Sequence, residues 1–457
     1  MTAKRPNILM IVCDDLNAWI GALGRHPQVK TPAIDALAAR GTLFTNAYCN
    51  APYCNASRIS ALTGRLPSTT GVYEQEPFWS DPDRPTTCVE ALRSHGYYAF
   101  GAGKVFHGKF DYRAATREAA TSADWRDTQH RAAIWDDFRP LNPEPLPANR
   151  PLNRLVDFDN FADVSSKYYL FDWGAFPDSI EDQMPDSITA SAVEEFLSAP
   201  PKEPFFCAAG IYKPHLPWHV PQRFFDLYPL RDIVLPLVKE DDLDDVPPIA
   251  REWALNPADH ELVTNHGQWH HAVQGYLAAI SYCDHIVGRI IDALQRSPDR
   301  DNTIIVLWGD NGFHLGEKLH WRKFALWEEA TRVPLIIVPP SGTKCPPRIS
   351  QPVSLVDLMP TLMDLLGLPK SNEDDGTSLA GLMSATAAGE SAPPCAISTW
   401  GRGNHSVRRG HWRFTRYSDG THELYDHSAD AYEWTNVAAD PRFSAKIRQL
   451  ETFLPKD

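Results

Sequence analysis

One pattern of polarity repeats through most of the chain. A short unbroken apolar run is followed by a segment whose apolar residues are spaced for one face of a helix. Asn7 to Cys13 is a continuous apolar run of buried-strand length. Thr31-Pro32 then opens a helix through Arg40, with an N-cap residue, proline at the first helical position and Gly41 as the expected terminator. A second unit runs through Thr87 to Arg93, ends at Gly96 and leads into the strand-like Tyr97 to Phe100. Later strands are expected at Pro204–Ile211, Thr303–Trp308 and Val333–Val338, with helical patterns at Asp186–Leu197 and at about Ala272–Leu294. Strands alternating with helices predict an α/β fold, with a large, mostly parallel sheet covered by helices on both faces.

Two stretches break this rhythm. Between about Phe106 and Phe176 the sequence is rich in Pro, Arg and Trp, and Pro229 to Pro257 is acidic and proline-rich. Long irregular insertions in a compact domain are disordered or functional as a rule. Trp125, Trp135, Phe138 and Trp173 favour packed loops that wall a pocket. From Lys370 to Gly389 the residues become small and polar. Short strands then follow at His405–Arg409, Trp412–Tyr417 and Glu423–Tyr425, before a terminal helix. The expected organisation is an α/β domain over residues 1–370, with insertions at about 106–176 and 229–257. A small α+β subdomain with an antiparallel sheet would follow over 371–457.

Composition narrows the partners. At 457 residues, 43% hydrophobic and 22% charged, the chain has ordinary globular character and can bury a sizeable core. Its formal charge of −14 argues against nucleic acid or an anionic membrane surface as a partner. The 8 cysteines form no CxxC pair and no zinc-type cluster, so reduced core thiols are expected. No apolar run approaches the ~20 residues of a membrane helix. The N-terminus enters a strand almost at once, with no apolar h-region before it. That predicts a cytoplasmic protein, or a periplasmic or secreted one where a signal has been removed.

Ionisable residues gather where the expected strands end. Asp14-Asp15 follows the first strand, and Lys104 and His107 follow the strand near Tyr97–Ala102. His215 follows the strand ending at Ile211, and Asp310-Asn311 the strand ending at Trp308. Open α/β sheets build their sites at these carboxyl ends. Asp14, Asp15, Asp310 and Asn311 offer oxygen donors, which suit a hard divalent cation such as Ca²⁺ or Mg²⁺ better than zinc. Arg58, Lys104 and Lys323 can offset the charge of an anionic ester, and His107 and His215 can carry protons near neutral pH. His314, His320, His270 and His271 are expected to be solvated or packed. Trp79, Trp218 and Arg322 lie near the motifs and are expected along a substrate pocket.

Cys54-Asn55-Ala56-Ser57-Arg58, with Leu62-Thr63-Gly64-Arg65 at the end of the same helical run, resembles the maturation motif of type I sulfatases in the alkaline phosphatase superfamily. Pro6-Asn7-Ile8 before Asp14-Asp15, Thr31-Pro32, Gly103-Lys104 and Gly309-Asp310-Asn311-Gly312 extend the resemblance over nearly the whole chain. Finer details resemble the iduronate-2-sulfatase branch: Thr69-Thr70-Gly71-Val72-Tyr73, Lys213-Pro214-His215-Leu216-Pro217, and Leu315-Gly316-Glu317 with Trp321 and Lys323. Position 56 is Ala where the commonest motif has Pro, and position 311 is Asn where that branch often has His.

The resemblance implies hydrolysis of a sulfate monoester, on a sulfated sugar or a uronate 2-sulfate. It implies that Cys54 is oxidised to formylglycine by a formylglycine-generating enzyme. The hydrate of that aldehyde would attack sulfur while held on one divalent cation, Ca²⁺ ahead of Mg²⁺ or Mn²⁺, by Asp14, Asp15, Asp310 and Asn311. Arg58 would stabilise the diol and metal site, and His107 would be the base that releases sulfate. Lys104 and Lys323 would hold the sulfate oxygens, and His215 with Lys323 would protonate the leaving alcohol. A phosphate or phosphonate ester hydrolase and a non-catalytic sulfated-sugar binding relative are the alternatives.

Overall fold

The computed structural model describes residues 5–107, 133–143, 145, 147, 149–156, 170–384 and 395–456. Trp125 lies outside them. The strands are β1 (Asn7–Cys13), β2 (Thr42–Tyr48), β3 (Tyr98–Gly103), β4 (Asp137–Pro140), β5 (Trp173–Phe176) and β6 (Phe205–Ile211). Next come β7 (Trp218–Pro221), β8 (Thr303–Gly309), β9 (His314–Leu315), β10 (Trp321–Arg322) and β11 (Arg332–Val338). The last are β12 (Arg348–Ile349), β13 (Val353–Ser354), β14 (Cys395–Thr399), β15 (His405–Arg409), β16 (Trp412–Arg416) and β17 (His422–Asp426).

The main sheet runs β12-β2-β11-β8-β1-β6-β3-β4, with β13 also on β2. Every residue of β1, β6 and β8 is buried, because helices cover both faces. The alternation of β1 shows how. Leu9, Ile11 and Cys13 join the core beneath helices Pro185–Ser198 and Trp269–Arg296, while Ile8, Met10 and Val12 face helices Cys54–Thr63, Cys88–Ser94 and Leu358–Leu365. The α/β sandwich expected from the pattern is therefore present.

The direction of one strand was not readable. β11 is antiparallel to both β8 and β2. A buried apolar run has the same pattern in either direction, so the connection decides. After β8 the chain stays at one end of the sheet through the short pair β9–β10 and helix Glu328–Thr331. Lacking a long crossover, it re-enters antiparallel. β2 also escaped the pattern, because Thr45 and Asn46 interrupt its apolar run.

Three further details differ from expectation. Helix Pro32–Ala38 stops before Gly41, which is small for another reason: a Cβ there would lie 2.5 Å from the Ile337 carbonyl oxygen. The stretch 229–257 contains the helix Pro248–Leu255. Trp135 stacks on Phe206 and Phe138, and Trp173 on Trp218 and Trp321, so these aromatics fill core.

The four strands β14-β15-β16-β17 form an antiparallel sheet, closed by the terminal helix Ser444–Glu451 over Val407, Phe414 and Leu424. Among the described residues, no helix is long and apolar enough to cross a membrane.

Candidate active site

Six strand and helix ends converge at the carboxyl edge of β1: those of β1, β3, β6, β8 and β10 and the start of helix Cys54–Thr63. Asp14 and Asp15 leave β1 directly, and Asp15 adopts a left-handed backbone (φ 58), a conformation Asp tolerates better than most residues. This turn aims the Asp15 amide at Asp310 Oδ1, 2.9 Å away, while Tyr276 donates its hydroxyl to the Asp15 carbonyl at 2.7 Å. Gly210 lets β3 and β6 close together where Lys104 emerges, since a Cβ at Gly210 would stand 2.0 Å from the Lys104 carbonyl carbon.

Cys54 is the first residue of helix Cys54–Thr63, which Gly64 ends in the left-handed region. Arg58 follows one turn later on the same face. Its Nε donates to Asp310 Oδ2 at 2.7 Å, its Nη2 lies 3.2 Å from Asp14 Oδ1, and its Nη1 donates to the carbonyls of Lys104 and Val105. One fully buried guanidinium thus ties together the ends of β1, β3 and β8. Ser57 adds a bond from Oγ to the Asp310 carbonyl at 2.5 Å.

Two lysines face the same carboxylates. Lys104 Nζ pairs with Asp14, and Lys323 Nζ lies 2.5 Å from Asp15 Oδ1 and 2.7 Å from Cys54 Sγ. Lys323 sits between two left-handed residues, Arg322 (φ 70) and Phe324 (φ 68). Such backbone costs about 1–3 kcal/mol per residue and persists where surrounding contacts enforce it.

His215 lies on a loop fixed by Asp186, whose carboxylate accepts the Tyr212 and Lys213 amides at 2.6 and 2.9 Å. The indole N–H of Trp218 holds the Pro214 carbonyl at 2.7 Å. His215 Nδ1 donates to the Leu216 carbonyl, which turns Nε2 toward Asp15 Oδ2 at 3.9 Å. His107 stands beside the Tyr53 ring, with Nε2 3.4 Å from Gln75 Nε2.

Electrostatics follow from this crowding. Burial would raise Asp14, but Lys104, His215 and Arg58 outweigh it and hold the carboxyl well below its usual range. Asp310 goes the other way, pushed up to about 6 by burial against the pull of Arg58, with Asp14 and Asp15 adding repulsion. Burial lowers His215 to about 4, and burial with the Lys104 charge holds His107 well below the ordinary imidazole range. Burial and the Asp14 charge push the Cys54 thiol well up despite Lys323. An unmodified Cys54 is thus a protonated thiol and a poor nucleophile.

The residues fit a hard cation. Ligand atoms of Asp14, Asp15, Asp310 and Cys54 all lie within 4.8 Å of one another. Asn311 Nδ2 donates to Asp15 Oδ1 at 2.8 Å, and its buried Oδ1 has no hydrogen-bond partner among the described residues. An orphaned amide oxygen beside three carboxylates is the donor chemistry of Ca²⁺ or Mg²⁺.

Every candidate from the motifs is therefore near this edge, although His107 stands farther out, against Tyr53 and Gln75. The structure adds Ser57, Asp186 and Tyr276, which position others through hydrogen bonds; Ser57 lies inside the Cys54 motif without being singled out there, and Asp186 and Tyr276 carry no motif signal. Trp218 is buried core and supports the His215 loop, Trp79 packs on Phe78 and Phe106, and Arg322 is paired with Asp259. His314 and His320 are buried against each other.

Known proteins share this frame. Residues 6–368 match the family model described as Sulfatase, and residues 316–456 match N-sulphoglucosamine sulphohydrolase, C-terminal. The chain is 36% identical to a sulfatase of Formosa agariphila, over 99% of this chain and 87% of that protein. It is 30% identical to iduronate 2-sulfatase of Homo sapiens, over 80% of this chain and 70% of that one. Two solved structures share the fold, each with a TM-score of 0.72 and coverage of 98% of this chain. They are a 2-O GAG sulfatase (21% identity, 91% of its chain) and a phosphonate monoester hydrolase of Agrobacterium radiobacter (20%, 94%). With four-fifths of its length matched by one family model, and its carboxylates, lysines and Cys54 gathered at one sheet edge, the chain belongs to the sulfatase family of sulfuric ester hydrolases.

Proposed function

We propose that the protein cleaves a sulfate monoester on a sugar, with Cys54 matured to formylglycine and a divalent cation, Ca²⁺ first, held by Asp14, Asp15, Asp310 and Asn311. The observation that carries this reading is the placement of Cys54 Sγ, 2.7 Å from Lys323 Nζ and among three carboxylates, in a site where the plain thiol is protonated. When present, the hydrated aldehyde supplies an attacking hydroxyl and a second hydroxyl whose loss of a proton expels sulfate, while the cation makes the first more acidic.

The chain's own residues do the rest. Arg58 keeps Asp14 and Asp310 in register and balances their charge. Lys104 and Lys323 meet the sulfate oxygens, where their charges count most in a water-poor site. His107, kept neutral by burial and Lys104, is set to accept a proton. His215 presents Nε2 to the site, and a bound anionic ester opposes its lowered proton affinity, so that it can pass a proton to the leaving alcohol. The substrate class follows the relatives: iduronate 2-sulfatase, and a Delta 4,5-hexuronate-2-O-sulfatase of Bacteroides thetaiotaomicron at 27% identity.

The test combines two measurements on protein made together with a formylglycine-generating enzyme. Mass spectrometry of the Cys54 peptide is expected to show formylglycine, and turnover is expected to be fastest on sulfate esters. Unmodified Cys54 throughout would remove the nucleophile. Faster turnover of phosphate or phosphonate monoesters than of nitrophenyl sulfate would replace the sulfatase assignment with the phosphorus one.

A further inference from the structure

The turn after β14 belongs to the C-terminal sheet, yet it reaches the mouth of the site. The Thr399 amide donates to the Asn50 carbonyl at 2.8 Å, and Ser398 Oγ donates to the Cys49 carbonyl at 2.5 Å. These bonds fix the end of β14 to the segment four residues ahead of Cys54. The turn itself is built rather than loose. The Trp400 amide donates to the Asn404 carbonyl at 3.1 Å, and Asn404 Nδ2 returns a bond to the Trp400 carbonyl at 2.9 Å. Gly401 and Gly403 supply the left-handed corners, with φ 63 and φ 81.

Two side chains of this turn point to recognition. Trp400 packs on Tyr53 (5.9 Å between centroids, 21° between planes) and on Phe324 (5.3 Å), and Tyr53 meets Phe324 at 5.8 Å. Tyr53 precedes Cys54 and Phe324 follows Lys323, so this three-ring cluster is covalently continuous with both groups. All three rings are only partly buried. Arg402 is exposed, with its guanidinium 5.5 Å from the centroid of the Tyr73 ring, and among the described residues it forms no ion pair. Tyr73 leads into Glu74, whose carbonyl accepts from Asn55 Nδ2 at 2.8 Å, so Arg402 too stands beside the nucleophile helix.

We propose that the Trp400–Arg402 turn is a specificity element of the site. Trp400, with Tyr53 and Phe324, packs against the sugar ring, and Arg402 pairs with a second anionic group of that ligand, separate from the sulfate being cleaved. A planar, always-charged fork resting on an aromatic face suits a carboxylate or a second sulfate. The proposal rests on the sulfated-sugar reading above and sharpens it: the favoured substrate carries two negative groups.

The test compares wild type, R402Q, R402K and Trp400→Phe on three substrates: nitrophenyl sulfate, a uronate 2-sulfate disaccharide and its carboxyl-reduced analogue. A disaccharide with a second sulfate separates the two sources of the anion. For R402Q, KM on the doubly anionic sugar is expected to rise by about three- to fivefold, the upper range of an exposed ion pair. Its kcat, and its KM on nitrophenyl sulfate and the reduced sugar, should stay within twofold, with R402K restoring part of the loss and Trp400→Phe keeping most of the affinity. Equal changes on all substrates, or none on the doubly anionic ones, overturn the proposal. Calorimetric binding of the same sugars to a C54A protein, with and without R402Q, gives a readout independent of turnover. No sulfate ester turnover by wild type, together with an Arg402-dependent affinity, would refute the hydrolase reading and leave the recognition element standing.

Discussion

At the scale of single residues, the site is a balance of buried charge. Asp14, Asp15 and Asp310 face Arg58, Lys104 and Lys323, and removing any one takes away a charge that a buried partner faces. Lys323→Ala deletes the cation nearest Cys54, and kcat/KM on nitrophenyl sulfate is expected to fall by about 10²–10³, the usual loss for one transition-state donor. Steady-state kinetics checks this, with Cys54 maturation measured alongside so that loss of the modification is not mistaken for loss of the lysine. Removing the cation with a chelator should abolish turnover and lower the melting temperature, because a ligand bound only by the folded state stabilises it. Re-addition of Ca²⁺ should restore both. Unchanged melting and activity after exhaustive chelation would exclude the acidic cluster as a working metal site.

At the scale of elements, close backbone approach sets the geometry. Gly210→Ala would force β6 away from Lys104, and Gly312→Ala would set a Cβ 1.9 Å from the Glu329 carbonyl oxygen. Each should destabilise by about 1–3 kcal/mol, toward the upper end because backbone cannot yield as a side chain can. Urea unfolding checks the cost, and Gly381→Ala, with nothing within 4 Å, is the neutral control.

Asp357 caps the turn before helix Leu358–Leu365, accepting from Ser354 and Thr377 at 2.9 and 2.7 Å, while burial pushes it up to about 7. A carboxyl raised in the folded state binds its proton more tightly there than unfolded. Its stabilising contribution is therefore full below about pH 4 and is lost as pH rises through 7. Asp357→Asn cannot ionise, so its melting temperature should approach, or pass, that of wild type between pH 5 and pH 8. A constant gap across that range would contradict the assignment.

At the scale of the whole molecule, the C-terminal sheet is joined to the catalytic layer by buried charge. Arg413 of β16 meets Glu328 and Glu433 at 2.5 Å each, and donates to the Leu326 carbonyl at 3.0 Å. Against the cost of burial, Arg413 and His427 lower Glu433 to about 2, and His427, Arg413, Arg408 and Arg332 hold Glu328 well below the ordinary carboxylate range. Arg413→Met would remove the guanidinium that both carboxylates share, leaving His427 on Glu433 and Arg332 on Glu328, at a cost of about 3 kcal/mol. Thermal melting and limited proteolysis should show the C-terminal sheet loosening first. Because Trp400 rides on that sheet, the same variant should also weaken sugar binding more than nitrophenyl sulfate turnover.

The sequence alone was enough for the layers and the family. Unbroken apolar runs and helical spacing set which segments face the core, because burial is decided locally by side-chain spacing. The Cys54–Arg65 motif and the acids after β1 and β8 carry reactive groups in fixed local order, so they too were legible. Other features needed the folded chain. The antiparallel entry of β11, the support of His215 by Asp186 and Trp218, and the arrival of Trp400 and Arg402 beside Tyr53 all join residues distant in sequence. Pairings of that kind depend on where layers meet in space, and no periodicity along the chain encodes them.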